Sequence, residues 1–337
     1  MKNNYKTAIE NVCAWPSLHK NTEGELVVFV FDQPSHSFWE GDIQCWKSKD
    51  KGETWQYESH VTRHEAGTNR MNVACGTDND GNYMVLVSGW TGRIPSGTRQ
   101  ECDWIMNRDA SRIQPLTCRS YDNCKTWEYL ENFPQVPAQV EKDRILTPFG
   151  KIAATEGHKL SLSAYAPSPD GFCSYFLRSN DNGLSWETPV VINPKGNETS
   201  VLSLGEGKWL AASREEDMHV ELFVSNDDGK TWTKKMPLTL PKQAPGDFLW
   251  TQDKKKLIYA YGNRCKGAYG IDLRFSEDMG ESWSAPVKIA DSPDKDSGYP
   301  SSVMLSEDEV ITVYYTRLEN DFSYEMRSII WNISDIS

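Results

Sequence analysis

Short apolar runs, many alternating with polar positions, recur along the whole chain. Val220-Glu221-Leu222-Phe223-Val224 is one, and Met84–Trp90 is another. Alternation with a period of two places successive side chains on opposite faces of a sheet, so these runs predict strands. Further strands are expected near Cys13–Leu18, Glu25–Phe31, Gly41–Lys47, Ser301–Leu305, Val310–Tyr315 and Met326–Asn332. Helical periodicity is scarce, and no helix is expected.

The runs are punctuated by a repeated turn, Ser-x-Asp-x-Gly-x-Thr/Ser-Trp. It occurs as SKDKGETW from Ser48, SNDNGLSW from Ser179, SNDDGKTW from Ser225 and SEDMGESW from Ser276. A fifth copy, SYDNCKTW from Ser120, carries Cys124 where the others carry Gly. Ser and Asp bond back to the turn backbone, Gly accepts the positive φ, and Trp opens the next strand with a large face to pack. Cys124 predicts strain or a different turn in that copy. Repetition on this scale signals an array of similar supersecondary units. Six units are expected, over about 11–57, 70–128, 145–187, 196–232, 245–284 and 298–335. The sixth lacks the turn, and the first ten residues are expected to complete its sheet. The expected fold is all-β: a six-bladed β-propeller of four-stranded antiparallel blades, one domain over residues 1–337.

Bulk properties narrow the function. A net charge of −12 argues against nucleic acid or an anionic membrane as partner, although a local Arg cluster can still bind an anionic ligand. No stretch is long and apolar enough to span a membrane. Eight scattered Cys form no Cys-x-x-Cys pair and no zinc spacing, so buried free thiols are expected. With no apolar signal core near the N-terminus, a soluble, cytoplasmic protein is the expectation; a secreted or periplasmic protein with its signal removed would show the same pattern. No Asp/Asn loop has EF-hand spacing, and neither metal nor cofactor is expected. Oligomeric state has no signature.

The five turns are Asp boxes, and the chain resembles the sialidase (neuraminidase) superfamily of six-bladed propellers. Finer matches carry the resemblance. Asn197-Glu198-Thr199-Ser200 leading to Ala211-Ala212-Ser213-Arg214 is similar to the fourth blade of that family, and Tyr261-Gly262-Asn263-Arg264 to the fifth. Gly298-Tyr299-Pro300-Ser301 is similar to the start of the sixth. The resemblance implies Tyr299 as nucleophile, Glu198 as its base, and Arg214 and Arg264 as carboxylate ligands. The chemistry suits an acidic sugar. A carboxylate nucleophile would be repelled by an acid group on the anomeric carbon, whereas a neutral phenol relieved of its proton by Glu is not. Forked guanidinium donors match a carboxylate.

The pattern breaks in blades one and two. The family's Phe/Tyr-Arg-Ile-Pro, which supplies a first carboxylate-binding Arg, is replaced by Cys13-Ala14-Trp15-Pro16, with Ala14 at the Arg position. Gly92-Arg93-Ile94-Pro95 has the motif's form but falls in the long insertion of blade two (Thr91–Ile113, with Arg93, Arg99, Arg108 and Arg112), out of place. Gln33 stands where a further pocket Arg is usual, and His36 near the acid/base Asp. His36 is the candidate general acid, with His64 beside Glu65 as a second. Asn72 aligns with a blade-two Asp; Arg70 and Trp15 complete the candidate binding residues. Three functions remain open: an exo-acting glycosidase on a terminal, acidic sugar; a lyase on a uronate-containing glycan; and a sugar-binding propeller without catalysis.

Overall fold

The computed structural model describes residues 5–34, 40–91, 111–135, 145–318 and 323–336. Blade one contains β2 (Cys13–Lys20), β3 (Leu26–Phe31), β4 (Ile43–Ser48) and β5 (Gln56–His60). Blade two contains β6 (Asn72–Thr77), β7 (Tyr83–Thr91), β8 (Ser111–Ser120) and β9 (Glu128–Leu130), and blade three β10 (Thr147–Thr155), β11 (Lys159–Ser168), β12 (Gly171–Ser179) and β13 (Val190–Asn193). Blade four contains β14 (Thr199–Gly205), β15 (Lys208–Arg214), β16 (Val220–Ser225) and β17 (Thr233–Pro237). Blade five contains β18 (Gly246–Trp250), β19 (Leu257–Asn263), β20 (Gly270–Ser276) and β21 (Val287–Asp291). Blade six contains β22 (Ser297–Met304), β23 (Glu309–Arg317) and β24 (Tyr324–Asn332), and its fourth strand is β1 (Lys6–Glu10) from the start of the chain.

The closure runs as expected: Lys6 lies opposite Ser328, and Glu10 opposite Glu325, in an antiparallel pair. It also explains why six blades carry five boxes. Each box joins the third strand of a blade to the fourth; in blade six the fourth strand comes from the other end of the chain, so there is no such turn to make. The expected units end too early for the same reason. The fourth strand of blades one to five follows the box Trp, so blade four runs to Pro237 rather than Trp232. Blades two and three are further joined by a short parallel bridge between their inner strands, Gly150 with Ala74 and Lys151 with Cys75. Among the described residues the helical content is one 3-10 turn, Ile333–Asp335.

All five boxes close the same way. In blade four the Ser225 hydroxyl donates to Asp227 (2.8 Å) and accepts from the Gly229 amide (3.0 Å), while Asp227 accepts from the Thr231 amide (2.9 Å) and hydroxyl (2.6 Å). Ser120, Asp122, Cys124 and Thr126 reproduce this set in blade two. Cys124 therefore adopts the same turn, held at φ +67°. The Gly positions press on the preceding blade: a Cβ on Gly229 would lie 2.2 Å from the Phe176 ring, and one on Gly52 2.4 Å from Ile311. Cys124 likewise sits buried against the preceding blade, in a core cluster with Phe29, Cys45 and Tyr83 that extends to blade six. The box Trp residues pack across blades: Trp127 meets Phe29 at 5.9 Å and Trp232 meets Phe176 at 5.3 Å between ring centroids.

Candidate active site

The site begins with a local irregularity. β22 slips register against β23 between Gly298 and Ser301, and Tyr299 at that slip has φ +50°. A left-handed conformation is costly for a residue with a side chain and persists only where surrounding packing enforces it. Gly298, at φ +133°, makes room: a Cβ there would lie 3.3 Å from the Gly262 Cα of blade five. The close approach brings the start of β22 against the end of β19, where Arg264 follows.

The Tyr299 hydroxyl donates to Glu198 Oε1 at 2.6 Å. Glu198 stands just before β14, with its amide bonded to the Asn197 side chain (2.7 Å) and its carbonyl accepting from the Arg214 amide (3.2 Å). That extension of the β14–β15 ladder sets Arg214 beside it. Arg214 Nη1 donates to Glu198 Oε2 and lies 3.4 Å from the Tyr299 hydroxyl oxygen. Its Nε is buried and, among the described residues, has no acceptor. Arg264 donates from Nε to the Ser297 carbonyl (3.0 Å) and from Nη2 to the Tyr315 hydroxyl (3.0 Å), with its guanidinium 5.8 Å from the Tyr299 ring centroid. Among the described residues its Nη1 has no hydrogen-bond partner. Tyr299, Glu198, Arg214 and Arg264 thus meet at one point, from three successive blades.

Burial pushes the Tyr299 phenol well above its ordinary pKa; the Glu198 charge adds to this, and Arg214 and Arg264 oppose it. Tyr299 is therefore a neutral phenol whose proton already points at a carboxylate. Burial works against the charge on both guanidiniums. It is outweighed at Arg214 by Glu198, Tyr299 and Tyr165, and at Arg264 by Tyr315, Tyr299 and Asp296, so both are raised and remain cations.

Of the other predicted residues that are described, Trp15 reaches this group through the Tyr299 ring, whereas Asn72, Arg70 and His64 bond elsewhere. Trp15 packs edge-on against the Tyr299 ring at 5.5 Å, as does Phe149 at 6.1 Å. Both line an axial cleft, with Ser200, Gly246, Tyr299 and Ser301 among its walls. Lys151 and Asp247, also in that wall, pair at 2.6 Å from blade three to blade five. Asn72 accepts from the Trp90 indole at 3.2 Å. Arg70 donates to the Gln114 carbonyl at 2.7 Å, and burial lowers its pKa. Gln33 turns to Asp32 (2.9 Å). His64 pairs with Asp42 at 2.7 Å rather than with Glu65, because Asp42 is buried one strand away while the Glu65 amide bonds within its own turn to Thr68. His36, like Arg93, Arg99 and Arg108, lies outside the described residues.

Sequence reasoning missed four residues of the site: Phe149, Tyr165, Asp296 and Tyr315. Tyr165 lies within electrostatic reach of Glu198, Arg214 and Arg112; burial first, then Glu198, pushes its phenol up. None carries a motif, since each reaches the centre through strand register. Among the described residues, no group of three or more His, Cys, Asp or Glu is arranged to hold a metal ion. Among the described residues no helix is long and apolar enough to cross a membrane.

Fold and site define a six-bladed propeller with a phenol, a carboxylate and two guanidiniums near its axis. The BNR repeat-like domain family matches residues 101–311, more than half of the chain, and the protein belongs to that family, within the sialidase/BNR superfamily. A curated sialidase from Paraclostridium sordellii is 23% identical over 245 residues, covering 66% of this chain and 57% of the relative. The chain thus spans a little over half the length of that relative. Among solved structures, a protein of unknown function from Dyadobacter fermentans superposes with a TM-score of 0.78 at 22% identity, covering 97% of this chain and 98% of the other. NanB sialidase from Streptococcus pneumoniae gives 0.74 at 13% identity (99% and 70%). Trypanosoma rangeli sialidase gives 0.71 at 17% identity (97% and 56%). These likenesses establish the fold.

Proposed function

We propose that this protein is an exo-acting glycoside hydrolase that removes a terminal, acidic sugar from a glycan. The observation that carries the reading is the Tyr299–Glu198 hydrogen bond at 2.6 Å, with Arg214 touching both partners. Binding alone has no need of a base against a buried hydroxyl. In the first step the Tyr299 oxygen attacks the anomeric carbon as Glu198 takes its proton. The bond to the leaving oxygen breaks, and that oxygen is protonated by an acid, for which His36 is the sequence candidate. Water then attacks the anomeric carbon of the glycosyl–tyrosine and gives up a proton to the conjugate base of that acid, while the phenol oxygen leaves and takes back its proton from Glu198. Because the resting phenol is neutral, nucleophile and acid substrate do not repel. The exposed edge of the Arg214 guanidinium, whose side chain is 20% exposed, and Arg264 Nη1 are left to meet the acid group of the sugar.

The test is hydrolysis of a panel of aryl glycosides of acidic sugars, sialic acid and hexuronates included, together with natural glycans. Tyr299→Phe should abolish the activity found; full activity in that variant would remove the proposed nucleophile. Sugar binding without turnover across the panel would replace the hydrolase with a lectin-like propeller. An ultraviolet-absorbing unsaturated product would replace it with a lyase.

A further inference from the structure

Behind Arg264 lies a second set of phenols and a carboxylate. Asp296, which is 7% exposed, accepts from the Tyr315 hydroxyl at 2.7 Å and from the Tyr324 hydroxyl at 2.5 Å. The Tyr315 proton is thereby committed to Asp296, which leaves its oxygen lone pair for Arg264 Nη2 at 3.0 Å. Both rings are buried. Tyr315 packs on the Tyr299 ring at 5.7 Å, and Tyr324 on Tyr315 at 5.5 Å, so the stack continues directly from the proposed nucleophile. The ends are tied as well. The Asp296 carbonyl accepts from the Arg317 amide (2.9 Å), its amide donates to the Asp294 side chain (2.7 Å), and the Tyr324 amide donates to the Pro34 carbonyl of blade one (2.9 Å).

A guanidinium is normally held by a carboxylate directly. Here the carboxylate acts through a phenol, which leaves Arg264 with a neutral contact and its charge available to an incoming anion. A direct Asp–Arg pair would spend the fork of donors on the protein. We propose that Tyr315, Asp296 and Tyr324 are positioning residues that hold Arg264 beside the Tyr299 ring with one edge open to the acid group of the substrate. Asp296 sets the direction of the Tyr315 hydroxyl, Tyr315 fixes Nη2, and Ser297 fixes Nε. The claim about the substrate rests on the hydrolase reading; the claim about Arg264 does not.

The experiment follows the Arg264 side chain by nitrogen-15 NMR of the full chain with labelled arginine, its signals assigned by their loss in Arg264→Lys. Tyr315→Phe and Asp296→Asn keep the shape of the core. Both should turn resolved, slowly rotating Nη signals into averaged ones, while the Nε–H held by Ser297 persists as an internal control. Unchanged Nη signals in both variants would overturn the proposal. With an active substrate, KM should rise about tenfold or more, the range of a hydrogen bond to a charged group, with kcat within a few-fold. Averaged Nη signals with KM unchanged would overturn the link to substrate. Should the wild type neither cleave an acidic sugar nor bind free N-acetylneuraminic or glucuronic acid, the hydrolase reading falls, and the NMR result still decides whether the three residues hold Arg264.

Discussion

The two sides of the Tyr299 ring are built from different materials. Toward blades four to six its neighbours are ionic: Glu198, Arg214, Arg264 and, through Tyr315, Asp296. Toward blades one to three they are aromatic, with Trp15 and Phe149 edge-on to the ring. The polar residues of blade two are turned to local partners, Asn72 to Trp90 and Arg70 to the Gln114 carbonyl. The difference teaches that Tyr299, Glu198 and Arg214 form a closed polar unit. The phenol, the carboxylate and the cation satisfy one another across blades four and six, so none of them depends on the aromatic wall opposite for a polar partner.

The sharpest way to break this comparison is Glu198→Gln, which keeps the shape and removes the base. Turnover should fall by about 10²–10⁴-fold, the range for a positioned general base, in steady-state assays on the best substrate; a smaller loss would demote the Tyr–Glu pair. Next is Arg214→Ala, which strands the buried Glu198 carboxylate. Loss of one partner from a buried pair predicts about 3 kcal/mol of destabilisation in denaturant melts, and a stability within error of wild type would mean that Glu198 is otherwise compensated. On the aromatic side, Asn72→Ala should cost only about 1 kcal/mol, the net worth of one neutral hydrogen bond, with little change in kcat. A loss as large as that of Arg214→Ala would restore blade two to the site.

The boxes supply the control, since they should behave alike on both sides. Local hydrogen bonds from Thr126 and from Thr231 hold Asp122 and Asp227 at a pKa of about 2, below the ordinary 3.8. A depressed carboxylate contributes stability that is complete above its unfolded pKa and is lost as pH falls through its folded value. The contribution should therefore fade between about pH 4 and pH 2. Asp122→Asn and Asp227→Asn should lower stability at neutral pH and flatten its fall in that window, to similar and small extents, by acid titration of the melting temperature. A marked difference between them would tie the box to the site.

Much of the scaffold was legible because its determinants are local. The Ser–Asp–Gly–Thr turn closes on itself within a few residues, so each copy announces the end of a third strand wherever it occurs. The pairing of Glu198, Arg214, Arg264 and Tyr299 was legible through resemblance, and each lies at or beside the end of an inner or second strand. At Cys124 strain or a different turn was expected; the turn is kept and the residue takes the left-handed φ of +67°, with packing that depends on the blade next door. His64 was assigned to Glu65 because neighbours in sequence are visible, whereas Asp42 comes from across the sheet.

By itself the sequence determined the all-β class, the register of the blades and the residue types that meet around Tyr299. These depend on period-two patterning and on turns whose hydrogen bonds are short in sequence. The tertiary structure alone decided what surrounds the Tyr299–Glu198 pair. Asp296 and Tyr315 behind Arg264, Phe149 and Trp15 against Tyr299, and the left-handed backbone at Tyr299 all arise where separate blades meet at the axis. Contacts between blades are fixed by ring closure and by which side chains the twist of each sheet turns inward, and no spacing along the chain encodes them.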